Sequence, residues 1–495
     1  MIFTSTRSQQ EMTSAAAITR GIAADGGLFV PCEFPQLSFD KLIELSQVDY
    51  ITRAKEVLKL YLTDYTEEEI DYCVRGAYSN TFDNNEPAPL VEVAPGTEML
   101  ELWHGPTCAF KDMALQLLPF LLVKAANKTA PGRTIVILVA TSGDTGKAAL
   151  AGFADVPNTR IVVFFPENGV SDMQKLQMTT QVGKNVAVCG IEGNFDDAQS
   201  GVKQIFTNDA IRNELDQMNM EFSSANSINF GRLVPQIVYY VSAACDLIKK
   251  GALKAGEKFN VAVPTGNFGD ILAAYYAKQM GVPVDKLICA SNRNKVLTDF
   301  LATGVYDRNR EFYTTSSPSM DILISSNLER MIFHASGNDA DLTAALMKEL
   351  NEKGRYQLPP AVLEKLQSEF FGGFCDETGT ENTIGDLFKN YHYLADTHTA
   401  VAANVLEQYR QATGDKTLTV IASTASPYKF AASVLPALTA EAVPEDGFAQ
   451  LEMLSKLSDT PIPAPLAGLK GCAVLHKTCI AKDDMAKFVK DFLKK

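Results

Sequence analysis

Short runs of β-branched and other apolar residues recur along the middle of the chain, each followed by a turn and then by helical spacing. The runs occupy residues 134–141, 160–165, 185–189, 259–263, 287–290 and 417–422, with helical spacing at 147–154, 172–179, 195–206 and 270–280. Because the runs are continuous rather than alternating, we expect strands buried on both faces of a parallel sheet. This pattern predicts an α/β fold, in which ligands bind beyond the carboxyl ends of the strands.

The two ends of the chain differ from this middle part. Residues 1–90 are predicted to be mainly helical, with apolar residues at helical spacing over 42–62 and 67–78. The polar, turn-rich stretch 80–89 then indicates a domain boundary. The tail after residue 444 is predicted to be a peripheral helical segment. At 495 residues, the chain is too long for a single ordinary core.

Charge and composition exclude several classes of protein. The net charge of −14 argues against binding to nucleic acid, which usually requires a basic surface. The polar N-terminal sequence predicts no signal peptide, and the longest apolar stretch is too short to span a bilayer. The nine cysteines are scattered without zinc-site spacing, so we expect no metal site and no disulfide framework. We therefore expect a reduced, cytoplasmic protein.

The sequence TSGDTG at 141–146 leaves a predicted strand and opens a helix at Lys147. Hydroxyl and backbone N–H groups at such a helix start favour an anionic ligand. The spacing is too short for a P-loop, and Ala148 stands where Ser or Thr would be required. A plain turn with a helix cap explains the same residues, so both interpretations stay open.

Two more strand ends carry ligand-compatible residues. The sequence PTGNFGD at 264–270 combines glycines with a helix start, which suits a phosphate bound by backbone N–H groups, although a tight turn is the alternative. The sequence STASP at 423–427 offers the Thr424 hydroxyl, for which capping is the simpler explanation.

One lysine has a setting that suits nucleophilic chemistry. Lys111 lies beside Phe110, near the start of an apolar helix predicted over 113–126. The positive helix end and partial desolvation would both lower the pKa of its amine, as a Schiff-base lysine requires. A solvated surface lysine is the alternative, and it fits most of the basic residues in the chain.

Taken in order, these motifs resemble those of the fold-type II pyridoxal-phosphate enzymes, and more narrowly the threonine synthases of the longer subtype. Further segments carry the resemblance: 21–31 (GIAADGGLFVP), 104–112 (HGPTCAFKD), 226–232 (NSINFGR), 317–330 (SPSMDILISSNLER) and 396–401 (DTHTAV). Two positions depart from the family pattern, since Thr397 replaces a usual proline and Ser426 replaces a frequent histidine. Neither is a position that the chemistry needs.

The resemblance implies a fold like that of the tryptophan synthase β-subunit, with two parallel or mixed sheet lobes and an N-terminal mainly helical domain. The expected domains are residues 1–90, a two-lobed catalytic region over 91–435, and a C-terminal helical segment over 436–495 packed on the larger lobe. Within the catalytic region, the smaller lobe is expected at about 105–240, inserted in the larger one.

The resemblance also implies the site residues. Lys111 matches the lysine that binds pyridoxal 5′-phosphate covalently. The expected contacts of the cofactor phosphate are the backbone groups of Gly266, Asn267, Phe268 and Asp270, those of the pyridine ring are Thr424 and Asp144, and those of the substrate are Ser142, Thr145, Ser227, Arg232 and Asn267. Roles for His104 and His398 stay open.

The implied reaction converts O-phospho-L-homoserine and water to L-threonine and phosphate. The alternatives are another fold-type II enzyme, such as a serine/threonine dehydratase, or a non-catalytic protein that binds a phosphorylated metabolite. The expected partner is thus a small-molecule substrate, without nucleic acid or membrane, and the expected state is a monomer or homodimer.

Overall fold

A computed structural model of the chain describes residues 1–83 and 86–494. The N-terminal part combines a small antiparallel sheet of strand order β2-β1-β3 with helices. Its elements are β1 (Ile2–Ser5), β2 (Ser8–Thr13), α1 (Ser14–Arg20), β3 (Phe29–Pro31), α2 (Phe39–Ser46), α3 (Tyr50–Tyr61) and α4 (Glu67–Tyr78).

Two features of this part differ from the expectation. The helical pattern over 42–62 forms two helices, because the Asp49 side chain accepts the Thr52 N–H and starts a new helix at Tyr50. The three short strands were not expected, since β2 has the mostly polar sequence SQQEMT.

The segment around Lys111 connects two strands to two helices. Its elements are β4 (Leu90–Ala94), β5 (Thr97–Glu101), α5 (Lys111–Leu115) and α6 (Leu118–Thr129). The single helix expected over 113–126 is therefore broken. Pro119 lies in the first turn of α6, where its missing N–H costs nothing, and so favours a new helix start.

A parallel five-stranded sheet follows, and the strands and helices expected here are present. Its elements are β6 (Thr134–Ala140), α7 (Asp144–Phe153), β7 (Thr159–Pro166), α8 (Asp172–Thr179), β8 (Val186–Glu192), α9 (Phe195–Thr207), α10 (Asp209–Gln217) and β9 (Met220–Ser223). Nearly all residues of β6 and β7 are buried, as their continuous apolar sequences predict.

The next part completes a six-stranded sheet of order β14-β11-β10-β15-β5-β4, parallel except for β4. Its elements are α11 (Phe230–Lys249), β10 (Phe259–Pro264), α12 (Gly269–Gln279), β11 (Val284–Ser291), α13 (Val296–Thr303), β12 (Val305–Asp307), α14 (Leu328–Ala335), α15 (Ala340–Lys353), β13 (Arg355–Gln357), α16 (Pro360–Glu369), β14 (Phe370–Phe374), α17 (Glu377–Tyr391), α18 (Thr397–Thr413) and β15 (Thr419–Ser423). Strands β12 and β13 pair separately.

The C-terminal segment requires a correction. Its elements are α19 (Ala431–Leu438), α20 (Gly447–Ser458), α21 (Ala464–Ala467), β16 (Cys479–Ala481) and α22 (Met485–Leu493). We expected residues 436–495 to be a helical segment on the larger lobe. From Cys479 onward this expectation is wrong, because β16 pairs in parallel with β8 as the outer strand of the five-stranded sheet, and Met485 and Val489 of α22 pack into the apolar cluster on α9. The short strand was missed because three residues give no clear period.

Helix α11 lies at the centre of the main core and joins the N-terminal helices to the rest of the chain. It is buried along almost its whole length. Arg53 of α3 forms a buried ion pair with Asp246 of α11 at 2.6 Å and donates to Ser242 at 2.8 Å. The domain boundaries expected from the sequence remain a prediction. Over the part of the chain described, no helix is long and apolar enough to cross a membrane.

Candidate active site

Lys111 begins α5, at the end of a turn that lies against the residues following β15. The Phe110 N–H donates to the Thr424 carbonyl over 2.7 Å, and the Ser426 N–H donates to the Cys108 carbonyl over 3.0 Å. Between these two bonds Ala109 and Ala425 form an isolated antiparallel bridge, beyond the ends of the parallel strands β5 and β15. The structure therefore brings Lys111 and Thr424 together, although they are far apart in the sequence.

Polar and charged groups from other segments of the chain surround the Lys111 amine. Its Nζ donates to Ser319 Oγ at 3.1 Å and lies 3.6 Å from Asp144 Oδ2, and its side chain is 11% exposed. Burial lowers the pKa of the amine, and the positive charges of Lys429 and Arg232 act in the same direction. Asp144 opposes them. The outcome is an amine that gives up its proton more easily than a surface lysine.

One buried hydroxyl shapes the loop between β6 and α7. Thr141 Oγ1 accepts the N–H groups of Gly143 and Gly146, both at 2.9 Å. Gly143 has a φ of 134°, and a Cβ there would come within 2.4 Å of the Gln174 side chain. The Gln174 amide instead donates to Asp144 Oδ1 at 3.0 Å. This packing orients Asp144 toward Lys111.

The loop between β10 and α12 is held through its carbonyl groups. Ser325 Oγ donates to the Gly266 carbonyl at 2.7 Å, and the Asn327 N–H donates to the Asn267 carbonyl at 3.0 Å. In contrast, the N–H groups of 266–269 donate to no acceptor within the described residues. A loop fixed on its carbonyl side with free N–H groups is a site for an anion.

The end of this loop is anchored by a carboxyl group. Asp270 Oδ1 accepts the hydroxyls of Tyr239 and Tyr240 at 2.5 and 2.6 Å. Burial raises the pKa of Asp270 to about 6, and the two hydroxyl donors oppose that rise. Phe268, also a predicted cofactor contact, is buried with a φ of 62°. The two tyrosines thus occupy Asp270 Oδ1, while Oδ2 is buried without a hydrogen-bond partner in the described chain. The backbone N–H of Asp270 is the group that can serve an anionic ligand.

Ser319 lies between Lys111 and the loop that connects β10 to α12, called the Gly-Asn loop below (residues 266–269). A Cβ on Gly266 would lie 2.6 Å from the Ser319 carbonyl oxygen, so the two backbones approach closely at this point. The Ser319 N–H donates to His398 Nε2 at 3.2 Å, and His398 Nδ1 lies 2.6 Å from Asp396 Oδ2. His398 therefore positions Ser319, and through it the contact to Lys111.

Arg232 is a buried cation that forms no ion pair with a carboxylate of the described residues. Its Nη1 donates to the Ala225 carbonyl at 3.0 Å, while its Nε has no hydrogen-bond partner in the described chain. Burial lowers the pKa of the guanidinium to about 10. Ser227, from the same segment, lies beside the Gly-Asn loop, with its Cβ 3.9 Å from a Cβ built on Gly269. A buried arginine that forms no ion pair among the described residues suits a second anionic group.

The remaining predicted site residues lie at the surface of these loops. Ser142 is exposed and Thr145 is half-buried, on either side of Asp144. Asn267 is exposed, and Ser326 Oγ donates to its side chain at 3.4 Å.

Sequence reasoning missed Lys429, a charged side chain buried at the site. Its side chain is 1% exposed, and its Nζ lies 2.8 Å from Asp144 Oδ1. One sequence signal was available, because Lys429 is the only charged residue in the otherwise apolar and hydroxyl-bearing segment 417–440. Ser319 and Gln174 were also missed as contacts of Lys111 and Asp144.

His104 lies outside this site. Its Nδ1 and Nε2 are each 2.9 Å from a carboxylate, that of Asp83 and that of Glu101. Burial would lower the pKa of His104, but the two carboxylates outweigh burial and raise it. Trp103 stacks on this ring and donates to Ser423 Oγ at 3.1 Å, which supports a packing role for the pair. Across residues 1–83 and 86–494, no cluster of His, Cys, Asp and Glu could hold a metal ion.

Comparisons with known proteins point to one family. The family model "Threonine synthase N terminus" matches residues 2–78, and "Threonine synthase, C-terminal" matches residues 399–469. A threonine synthase of Schizosaccharomyces pombe is 36% identical over 452 residues, which cover 86% of this chain and 86% of that protein. The chain belongs to the threonine synthase family. The expected family is thereby confirmed.

Two further relatives define how far the likeness extends. Human "Threonine synthase-like 1" is 41% identical over 456 residues, covering 90% of this chain but only 60% of that protein. The chain thus spans about three fifths of the length of the relatives with that name. The crystal structure of PLP-bound threonine synthase from Brucella melitensis is 34% identical with a TM-score of 0.86, covering 100% of this chain and 99% of that one. The expected α/β fold of a type II pyridoxal-phosphate enzyme is confirmed.

Proposed function

We propose that this protein is a threonine synthase that uses pyridoxal 5′-phosphate to convert O-phospho-L-homoserine and water to L-threonine and phosphate. The observation that carries the proposal is the meeting of a buried amine, Lys111, with two separate anion sites. One is the set of free N–H groups at 266–269, and the other is the unpaired Arg232. A cofactor and a substrate that each carry a phosphate require two such sites.

The residues at the site fit the cofactor. Lys111 would hold it covalently, the backbone of 266–268 with the Asp270 N–H would bind its phosphate, and the Thr424 hydroxyl would meet its ring nitrogen. Asp144 would lie near the ring hydroxyl. When bound, the cofactor withdraws electrons from the substrate carbon next to the amino group. A neutral hydroxyl at the ring nitrogen moderates that withdrawal, because it does not stabilise a positive ring as a carboxylate would.

Lys111 has two tasks in this reaction. Once the substrate displaces it, its free amine removes the proton from the substrate Cα and later returns protons as a general acid. A second proton leaves Cβ, the phosphate leaves Cγ, and water then adds at Cβ. The amine must be uncharged to accept the first proton. The buried setting of Lys111, which lowers the pKa of its amine, favours that state.

Arg232 would bind the substrate phosphate. Its fork can pair with two phosphate oxygens, and Thr145, Ser227 and Asn267 would add side-chain donors. The same cation would stabilise the phosphate as it leaves. Ser142, with the rest of its loop, would bind the substrate carboxylate.

Product partitioning tests the role of Thr424. In Thr424→Asp, a carboxylate would stabilise a positive ring nitrogen and strengthen electron withdrawal. We expect more of the substrate to leave as side products relative to threonine, measured by product analysis of the same reaction mixture. Unchanged partitioning would count against the contact.

A paired assay tests the function itself. The purified protein should be yellow, and borohydride followed by peptide mass spectrometry should find the cofactor on Lys111. It should release phosphate from O-phospho-L-homoserine faster than ammonia from threonine. Faster ammonia release would indicate a dehydratase instead, and a colourless protein without phosphate release would contradict the proposal.

The finer expectations on organisation also remain proposals. We propose that the five-stranded and six-stranded sheets belong to two lobes with the site between them. We further propose a cytoplasmic monomer or homodimer, which the free state of all nine cysteines supports for a reducing compartment. Light scattering on the purified chain measures its oligomeric state.

A further inference from the structure

Lys429 has no task in the proposed reaction, yet it is a buried cation at its centre. It lies in a short 3₁₀ turn, Pro427–Phe430, directly after the Thr424 segment. Its Nζ donates to the Thr107 carbonyl at 2.8 Å and pairs with Asp144 Oδ1 at 2.8 Å. An interior lysine is costly unless its charge is paired, so this position calls for an explanation.

Asp144 lies between two amines and contacts them unequally. One carboxylate oxygen is 2.8 Å from Lys429, and the other is 3.6 Å from Lys111. Lys429 also has the Thr107 carbonyl as acceptor, whereas Lys111 has only the Ser319 hydroxyl. The negative charge of Asp144 therefore stabilises a positive charge on Lys429 more than one on Lys111.

The total charge of the cluster makes this inequality important. Among the described residues, both lysines form their ion pair with the same carboxylate, that of Asp144, and Arg232 adds a third positive charge nearby, so one of the amines should lose its proton. The amine with the longer contact, Lys111, gives up its proton at the lower cost. Burial alone would raise the pKa of Asp144, but Lys429 and Lys111 hold it well below its usual range.

We propose that Lys429 is a positioning residue that occupies the Asp144 carboxylate, so that the Lys111 amine stays uncharged and reactive. The proposal rests on the function proposed above, because a reactive Lys111 matters only if it binds the cofactor. Without Lys429, the Asp144 carboxylate would be free to pair with Lys111 and would hold a proton on it.

Other charged groups around the cluster are already engaged or distant. Asp112 of α5 accepts from the Thr107 hydroxyl at 2.7 Å and from its N–H at 2.8 Å. Lys147 of α7 donates to Gln181 at 2.6 Å. His398 of α18 faces Asp396 and Ser319. None of these three forms an ion pair with Asp144 among the described residues.

The test is the pH profile of Lys111 acetylation in the 495-residue chain, freed of cofactor with hydroxylamine and followed by peptide mass spectrometry. In Lys429→Met we expect the midpoint for Lys111 to rise by about one to three pH units, as for an amine beside an opposite charge. The double variant Lys429→Met with Asp144→Asn should return the midpoint to the wild-type value or below. A loss of packing alone would not be reversed by the second substitution.

Two further variants complete the test. Lys147→Met removes a positive charge from α7, the helix that carries Asp144, but Lys147 forms no ion pair with Asp144 among the described residues. This variant should leave the midpoint for Lys111 unchanged. Lys429→Gln takes the place of Lys429→Met if circular dichroism finds Lys429→Met unfolded. An unchanged midpoint in a folded Lys429 variant would overturn the proposal.

The labelling is read before any cofactor is added, so its outcome is independent of the proposed function. Unshifted profiles in a protein that still traps the cofactor would refute only the role of Lys429. Shifted profiles in a protein that never forms the cofactor bond would refute only the proposed function.

Discussion

Asp144 and Asp270 occupy equivalent places in the two sheets, yet their carboxyl groups have opposite character. Each lies in the first turn of a helix that follows a buried parallel strand. Asp144 faces two lysines, which hold its pKa well below the usual range. Asp270 faces two tyrosine hydroxyls, and burial raises its pKa to about 6.

The contrast teaches that two aspartates at equivalent positions in the fold can differ in their chemistry. The elements that face each carboxyl group decide that chemistry. In the first loop, the 3₁₀ turn Pro427–Phe430 brings a cation, and the carboxylate becomes part of the reactive cluster. In the second loop, α11 brings neutral donors, and the carboxyl serves only to anchor the backbone. The first loop thus offers a charged side chain, and the second offers bare N–H groups.

The largest expected effect comes from removing the carboxylate that faces lysines. Asp144→Leu should lower the free energy of unfolding by about 3–5 kcal/mol, because the buried charge of Lys429 loses its partner. Urea denaturation measures this loss. Adding Lys429→Met should recover most of it, since the buried charge that lost its closest partner is then absent. An equal loss in the double variant would contradict the ion-pair explanation.

The second prediction uses the raised pKa of Asp270. The folded chain binds this proton more tightly than the unfolded chain, whose aspartate pKa is about 3.9. The group therefore stabilises the fold at low pH, and that stabilisation is lost as the pH rises from about 4 through 6. A pKa difference of about two between the folded and unfolded chains corresponds to about 3 kcal/mol.

Asp270→Asn should remove this dependence. The difference in unfolding free energy between wild type and variant should change by about 3 kcal/mol between about pH 4 and pH 7, measured by urea denaturation at several pH values. Asp386→Asn, at an exposed site on α17, serves as the control and should run parallel to wild type. A constant difference for Asp270→Asn would mean that the carboxyl is ionised throughout.

The third prediction concerns the bare backbone of the second loop. In Gly266→Ala the new Cβ would lie 2.6 Å from the Ser319 carbonyl, so one backbone must move. We expect cofactor affinity to fall about tenfold, or about 1.4 kcal/mol, measured by titrating cofactor-free protein. Gly447→Ala, whose Cβ would meet only Met173 at 3.7 Å, should bind normally. Normal binding by Gly266→Ala would weaken the assignment of this loop to the cofactor phosphate.

The smallest expected effect comes from removing the hydrogen bond that the neutral Gln174 side chain donates to Asp144. Gln174→Leu removes one hydrogen bond to a carboxylate that keeps its lysine partners, so kcat/KM for phosphate release should fall by about 1 kcal/mol, or roughly fivefold. Ser171→Ala disturbs the same helix cap without touching Asp144. If both variants lose the same activity, the cap and not the contact is responsible.

Much of the fold was predictable because buried parallel strands leave apolar runs that can be read directly. Helix α8 matches its predicted bounds, since Ser171 and Gln174 form a capping box at its start. The strands β1 to β3 and β16 were not predicted, because they are short and their polarity has no clear period. The break near residue 48 depended on Asp49, whose capping role is one of several that an aspartate can take.

The parts of the site that lie in sequence motifs were predictable. Single side chains that enter the site from outside these motifs were not. Lys111, Thr424 and the two loops meet as expected, although their roles toward cofactor and substrate remain predictions. Lys429 was missed because its one signal, a single charge in an apolar and hydroxyl-bearing segment, does not by itself distinguish a buried lysine from a solvated one. The tyrosines that occupy Asp270 were missed for a related reason, since they reach it from another helix.

The strand β16 has a consequence for handling the protein. It covers the outer edge of β8, and α22 covers the apolar residues of α9. A chain shortened before Cys479 would expose the unpaired edge of β8 beside an apolar surface. Such a combination promotes aggregation. Truncations made to improve crystals should therefore keep the segment from Cys479 onward, or solubility will be lost before catalysis can be measured.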